Sequence, residues 1–138
     1  GLGELIDKVK KASKDDVRIE YKGLVSNDEL SFILENASVC INPIDENANF
    51  TKYSFPSKIY EYMRHGNAII TSNVPSINMI TRSYHGIYII SDTKPQTIAR
   101  EISRVISIAH SRTDLKKQYN SFSEKRFSGM SEFWRGLL

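Results

Sequence analysis

The chain has 138 residues, close to the commonest single-domain size, and its 40% apolar and 25% charged residues are those of a globular protein, which excludes disordered and fibrous classes. A net charge of +3 is a mild excess with no nucleic-acid-binding motif beside it, so the basic runs Lys8–Lys22 and Arg112–Arg126 read as solvated helix faces. Cys40 is the only cysteine, within the apolar run Val39-Cys40-Ile41, which excludes a disulfide framework and fits a reducing cytoplasmic compartment. His65, His85 and His110 have no metal-ligand spacing, and no metal site is expected. No apolar run approaches the ~20 residues of a membrane span.

Leu2, Leu5, Ile6, Val9 and Ala12 recur at helical spacing and predict a first amphipathic helix. Val17 to Tyr21 alternates as a strand does and runs on into Gly23-Leu24-Val25. Ser26 and Glu29 form a capping-box pattern opening a helix with the stripe Leu30, Ile33, Leu34 and Ala37. Ser38 to Asn42 is a short buried strand halted by Pro43, and the polar stretch Asp45 to Ser54 is a loop. A helix from Pro56 and a strand Ala68–Ser72 follow. Next come a short helix over Pro75–Ser83 and a strand over Gly86–Ile90. Thr93 with Gln96, and Pro95 in the first turn, open the strongest helix, striped by Ile98, Ala99, Ile102, Val105, Ile106 and Ala109. A helix from Asp114 carries Leu115, Tyr119 and Phe122, and a short aromatic tail surrounds Phe133 and Trp134.

Apolar strands separated by crossover-length helices demand a parallel sheet with helices on both faces. The expected fold is therefore α/β: one Rossmann-like three-layer α/β/α domain over residues 1–138. Its sheet is mostly parallel, with four strands, and lacks the strand that should precede the first helix. Ligands bind such sheets outside the carboxyl ends of the strands, which places the site at the loops after Val25, Asn42, Ser72 and Ser91.

The helix from Pro56 opens at that edge. Pro56 suits a first turn and Gly66 a left-handed position past the helix end. On a helical wheel Ser57, Lys58, Glu61 and His65 share one face, and Ile59, Tyr62 and Met63 the other. A hydroxyl and a cation at a helix N-terminus suit phosphate, with Glu61 a turn further in, able to accept from two vicinal sugar hydroxyls. Each residue has a plainer alternative. Ser57 can satisfy first-turn amides, Lys58 can be solvated, and Glu61 can pair with Lys58 or His65. His65 suits helix C-terminal capping, and His85 a turn. Asp45 and Glu46 are adjacent loop carboxylates and make a poor acid/base pair. No serine or cysteine has a recognisable histidine partner, so the residues describe a phosphate- and sugar-binding half-site without a complete catalytic apparatus.

From Phe55 to Ser72 the pattern Phe-Pro-Ser-Lys-x-x-Glu-Tyr-Met, then Gly66 and a strand, resembles the C-terminal, donor-binding domain of group 1 (family 4) glycosyltransferases of GT-B architecture. Gly1–Glu4 is similar to that domain's early glycine loop, Arg18–Ser26 to its strand–glycine–nucleotide segment, and Ala37–Pro43 to its "AdvxixP" strand. Gly86–Ser91 and the next helix are similar to its later part. The resemblance implies transfer of a sugar from a UDP- or GDP-sugar to a polysaccharide or glycolipid acceptor, with retention and without a further cofactor. By position, Glu61 resembles the second, ribose-binding glutamate of the family's E-x7-E motif, while the first falls at Tyr53, a departure. Phe55, Ser57 and Lys58 match the segment facing the diphosphate, Val25 the position meeting the base, and Gly3 the glycine loop.

The strand carrying the family's phosphate-binding Arg and Lys, and the acceptor-binding N-terminal domain, have no counterpart here. The chain, beginning at Gly1, is accordingly read as the C-terminal half of a two-domain protein, inactive alone. The parent would be cytoplasmic, with possible peripheral attachment to the inner face of the membrane. The alternatives are a non-catalytic nucleotide-binding module and another GT-B relative, such as a sugar-nucleotide epimerase.

Overall fold

The computed structural model describes residues 5–44 and 57–137, with side chains described as far as Arg126 and at Ser128. The element order is α1 (Ile6–Asp15), α2 (Asn27–Asn36), β1 (Cys40–Asn42), α3 (Ser57–Arg64), β2 (Ile69–Ser72), α4 (Pro75–Asn78), β3 (Ile87–Ile90), α5 (Pro95–Ser107) and α6 (Arg112–Leu137). The chain divides after Ile33 into two compact units, the division falling within α2.

In the first unit α1 forms where the apolar spacing predicts, and α2 opens on its cap: Ser26 Oγ accepts the Glu29 N–H at 3.2 Å. The expected strand from Val17 does not form. Its backbone polar groups are satisfied locally, since the Ile19 N–H donates to the Asp16 carbonyl at 3.0 Å. Asp16 Oδ1 accepts the Arg18 N–H at 2.9 Å. Ser13 Oγ donates to the Ile19 carbonyl at 2.8 Å and accepts from the Tyr21 N–H at 3.3 Å. Turns and side chains take the bonds that a ladder would use, and Val17 is left 98% exposed.

The second unit contains the sheet. Its order is β1-β2-β3, parallel throughout, with Cys40 opposite Ile69 and Ile69 opposite Ile87. Among the described residues it therefore has three strands rather than four. β2 is buried along its whole length, which is why its sequence is continuously apolar before Thr71 instead of alternating. Its pleat splits the core. Ile69 packs with Ile59 and Met63 of α3, Ile77, Ile80, Tyr84 and Leu115 of α6. Ile70 faces the opposite side with Ala68, Ile90 and Val105 of α5. Helices thus cover both faces of a Rossmann-like α/β domain.

Three boundaries differ from expectation for local reasons. Pro95 prefers the first helical position, so the residue flanking α5 is Lys94 and the Thr93–Gln96 capping box does not form. Asp92 Oδ1 instead accepts the Lys94 N–H at 2.9 Å, and that bond holds the Asp92 carboxyl below its ordinary range. α6 starts two residues early because Ser111 Oγ accepts the Asp114 N–H at 3.2 Å. It then continues through the aromatic tail, since no proline interrupts 112–137.

Candidate functional site

The carboxyl edge of the sheet is fastened by side chains of β2. Thr71 Oγ1 donates to the Asn42 carbonyl at 3.0 Å, and Ser72 Oγ accepts the Ile44 N–H at 2.9 Å. Both hydroxyls are buried, at 0% and 1% exposure. They fix the direction in which the chain leaves β1 on its way to α3. A Thr-Ser pair ending an apolar strand was the available signal for this clasp, and sequence reasoning passed over it.

α3 presents the predicted faces. Ile59 and Met63 are fully buried, while Ser57 and Lys58 are exposed in the first turn. Glu61, one turn on, keeps 37% of its side chain exposed. Its neighbour is His65, whose Nδ1 lies 3.5 Å from Glu61 Oε1 and 2.8 Å from the Glu61 carbonyl oxygen. That carbonyl can only accept, so Nδ1 carries the hydrogen and His65 caps the helix end, the role favoured from sequence. Glu61 thus has the His65 partner considered for it and still faces solvent.

The C-terminus of α3 is closed by a Schellman motif: the Gly66 N–H donates to the Met63 carbonyl at 2.9 Å and the Asn67 N–H to the Tyr62 carbonyl at 3.1 Å. Gly66 takes φ +71°, and a Cβ there would stand 2.6 Å from the Arg112 carbonyl oxygen. Beneath it lies a polar cluster that sequence reasoning missed. Arg112 donates through Nη1 to the carbonyls of Leu34 (3.1 Å) and His65 (2.9 Å) and to Asn67 Oδ1, and through Nη2 to the Ala37 carbonyl (2.8 Å). One guanidinium therefore serves the negative ends of both α2 and α3. Arg112 is a correction to the reading of its basic run as solvated.

Asn67, 1% exposed, also donates through Nδ2 to Cys40 Sγ at 2.9 Å, and its carbonyl accepts the Tyr84 hydroxyl at 2.7 Å. Burial pushes the Cys40 thiol up, outweighing the Asn67 hydrogen bond and the Arg112 charge. Burial likewise raises the Tyr62 and Tyr84 phenols, with Cys40 adding to both.

The structure brings Ser57, Lys58 and Glu61 together on α3, which follows β1 at the carboxyl edge. Val25 belongs to the first unit, partly buried in the segment leading into α2. Gly3, Tyr53 and Phe55, with Asp45 and Glu46, lie outside the described residues. His85 is a turn residue before β3, its N–H donating to Gln118 Oε1 at 2.8 Å. Among the described residues no three of His, Cys, Asp and Glu converge as metal ligands, and no helix is long and apolar enough to cross a membrane.

No curated protein matches the chain. A family model described as group 1 glycosyl transferases matches residues 1–107, a span that takes in β1, β2 and β3 and ends with α5. With a parallel α/β sheet, a helix opening beside its carboxyl edge and a family match over most of its length, the chain belongs to the group 1 glycosyl transferases.

Proposed function

We propose that this chain is the donor-binding, C-terminal domain of a retaining, hexosyltransferase-type family 4 enzyme, and that it holds a UDP- or GDP-sugar at the carboxyl edge of its sheet. The observation that carries the reading is α3: Ser57 and Lys58 stand exposed in its first turn, with half-exposed Glu61 one turn behind. The first-turn N–H groups, the Ser57 hydroxyl and the Lys58 ammonium suit a diphosphate, whose negative charge grows as the sugar departs. The Glu61 carboxylate only accepts, and its two oxygens match the vicinal hydroxyls of a ribose. The family resemblance, by position in the sequence, assigns Phe55 and Gly3 to the diphosphate and Val25 to the base. The acceptor, a polysaccharide or glycolipid precursor, binds a separate N-terminal domain of the parent, which works at the inner face of the membrane.

Titration of UDP, GDP and the free nucleosides against the parent protein tests the assignment. Glu61→Ala weakens nucleoside and nucleotide alike, by about tenfold or more for two hydrogen bonds to a charged acceptor. Lys58→Gln weakens the diphosphate but leaves the nucleoside unchanged. Unaltered nucleoside affinity in Glu61→Ala refutes the ribose role.

Tyr53, standing where the family motif has glutamate, favours a second reading in which the fold binds a nucleotide without transferring a sugar. Saturable nucleotide binding by a parent that shows no donor hydrolysis or transfer selects it.

A further inference from the structure

The geometry points to a second anion site that shares no lining residue with Ser57, Lys58 and Glu61: a groove between α6 and the turns after α4 that binds a phosphate group carried by a small molecule or a lipid headgroup. The groove is open, has a volume of ~480 Å³, and contains three cations, Arg82, Lys125 and Arg126. Among the described residues no carboxylate lines it. Arg82 and Lys125 are exposed and form no ion pair with any described residue, so no described carboxylate neutralises their charges. The Arg126 guanidinium lies over the Tyr60 ring, 5.0 Å from its centroid, a cation–π contact that holds its charge at the groove.

The neutral polar groups of the lining are also donors. Gln118 Oε1 is occupied by the His85 N–H at 2.8 Å, which fixes the amide so that its NH2 group remains to donate. The hydroxyls of Ser83 and Ser121 stand beside it. A site rich in donors and cations, with no competing carboxylate among the described residues, suits an oxyanion with several acceptor oxygens. An adjoining groove of ~320 Å³ shares Phe122 and Arg126 and adds Tyr60, Met79 and Ile80. Met79 is 78% exposed there, and Phe122 stacks on Tyr60 with ring centroids 6.2 Å apart. An apolar shelf beside a cationic groove fits a phosphate with an apolar or aromatic attachment.

Ser57, Lys58 and Glu61 are not among the residues lining this groove, which meets α3 at Tyr60 through Arg126, so it draws on a different set of side chains from the donor half-site.

The test follows the Ser83, His85 and Ser121 amide resonances of the 138-residue chain during titration with pyrophosphate, and in parallel with vesicles of phosphatidylcholine containing phosphatidylglycerol. Saturable shifts with pyrophosphate identify a soluble phosphate ligand; shifts with the anionic vesicles alone identify a headgroup. Arg82→Gln and Lys125→Gln each weaken the response by about tenfold, as loss of one charge-assisted contact requires. Ser121→Glu, which puts a carboxylate in the lining, removes the response. Lys8→Gln on α1 leaves it unchanged. The proposal is overturned if neither probe shifts these amides, if the groove variants respond as the wild type does, or if Lys8→Gln is as damaging as Arg82→Gln.

Discussion

Arg112→Met isolates the cluster beneath α3, because methionine keeps much of the stem and removes every donor. Four acceptors lose a partner: the carbonyls of Leu34, Ala37 and His65, and Asn67 Oδ1. Hydrogen bonds from a charged donor are worth about 1.5–3 kcal/mol each, so simple addition gives about 6 kcal/mol or more. Arg112 is only partly buried, and water admitted by truncation will reach some of these carbonyls. Asn67 is different: at 1% exposure it keeps its bond to Cys40 but loses the acceptor side. The expected loss is about 3–5 kcal/mol, the range seen when one partner of a buried charged contact is removed.

Urea unfolding followed by circular dichroism measures this loss, with an unchanged urea dependence showing that the denatured state is not altered. Arg112→Lys recovers no more than half, because a single ammonium cannot span carbonyls from two helix ends. The Cys40 thiol supplies an independent readout. It is buried and its proton is held tightly, so alkylation requires opening, and Arg112→Met accelerates it. If Arg112→Met unfolds within about 1 kcal/mol of wild type, the guanidinium does not join α2 to α3 energetically and the argument fails.

Gly66→Ala destabilises by about 2–4 kcal/mol, combining the left-handed backbone penalty with a Cβ 2.6 Å from the Arg112 carbonyl oxygen; a shift below about 1 kcal/mol in urea midpoint analysis means that α6 yields cheaply. Stability declines above about pH 10, because the unfolded chain releases the tyrosine protons there while the folded one retains them, with a slope of up to ~1.4 kcal/mol per pH unit for each such group. Tyr84, fully buried and with its hydroxyl bonded to the Asn67 carbonyl, has its phenol raised well beyond the ordinary range, so Tyr84→Phe flattens that decline. It does not abolish it, since the Tyr62 phenol and the Cys40 thiol are also raised. An unchanged alkaline slope in Tyr84→Phe removes Tyr84 from the account.

The helix at Ser57 was legible because its signals are local: a proline to start it, a glycine to end it and an apolar face at the right spacing. The buried strands were legible because a strand covered on both faces needs apolar residues at nearly every position. Val17 to Tyr21 carried an equally regular alternation and became no strand. Alternation describes a surface that suits a sheet, whereas the hydrogen bonds must come from a neighbour, and here Ser13 and Asp16 compete for them. The Thr93–Gln96 box failed through a rule of the same range, the preference of Pro95 for the first helical position.

The sequence by itself determined the α/β class, the placement of most helices, the cap at Gly66 and the polar face of α3 that carries Ser57, Lys58 and Glu61. Only the tertiary structure decided which polar groups meet: Thr71 and Ser72 on the chain leaving β1, Asn67 between Cys40 and Tyr84, and Arg112 on carbonyls 47 to 78 residues away. The first set depends on backbone geometry within a turn or two of helix, which neighbouring residues dictate. The second depends on satisfying buried donors and acceptors brought together by packing. An arginine in a basic run looks the same in sequence whether it faces water or two helix ends.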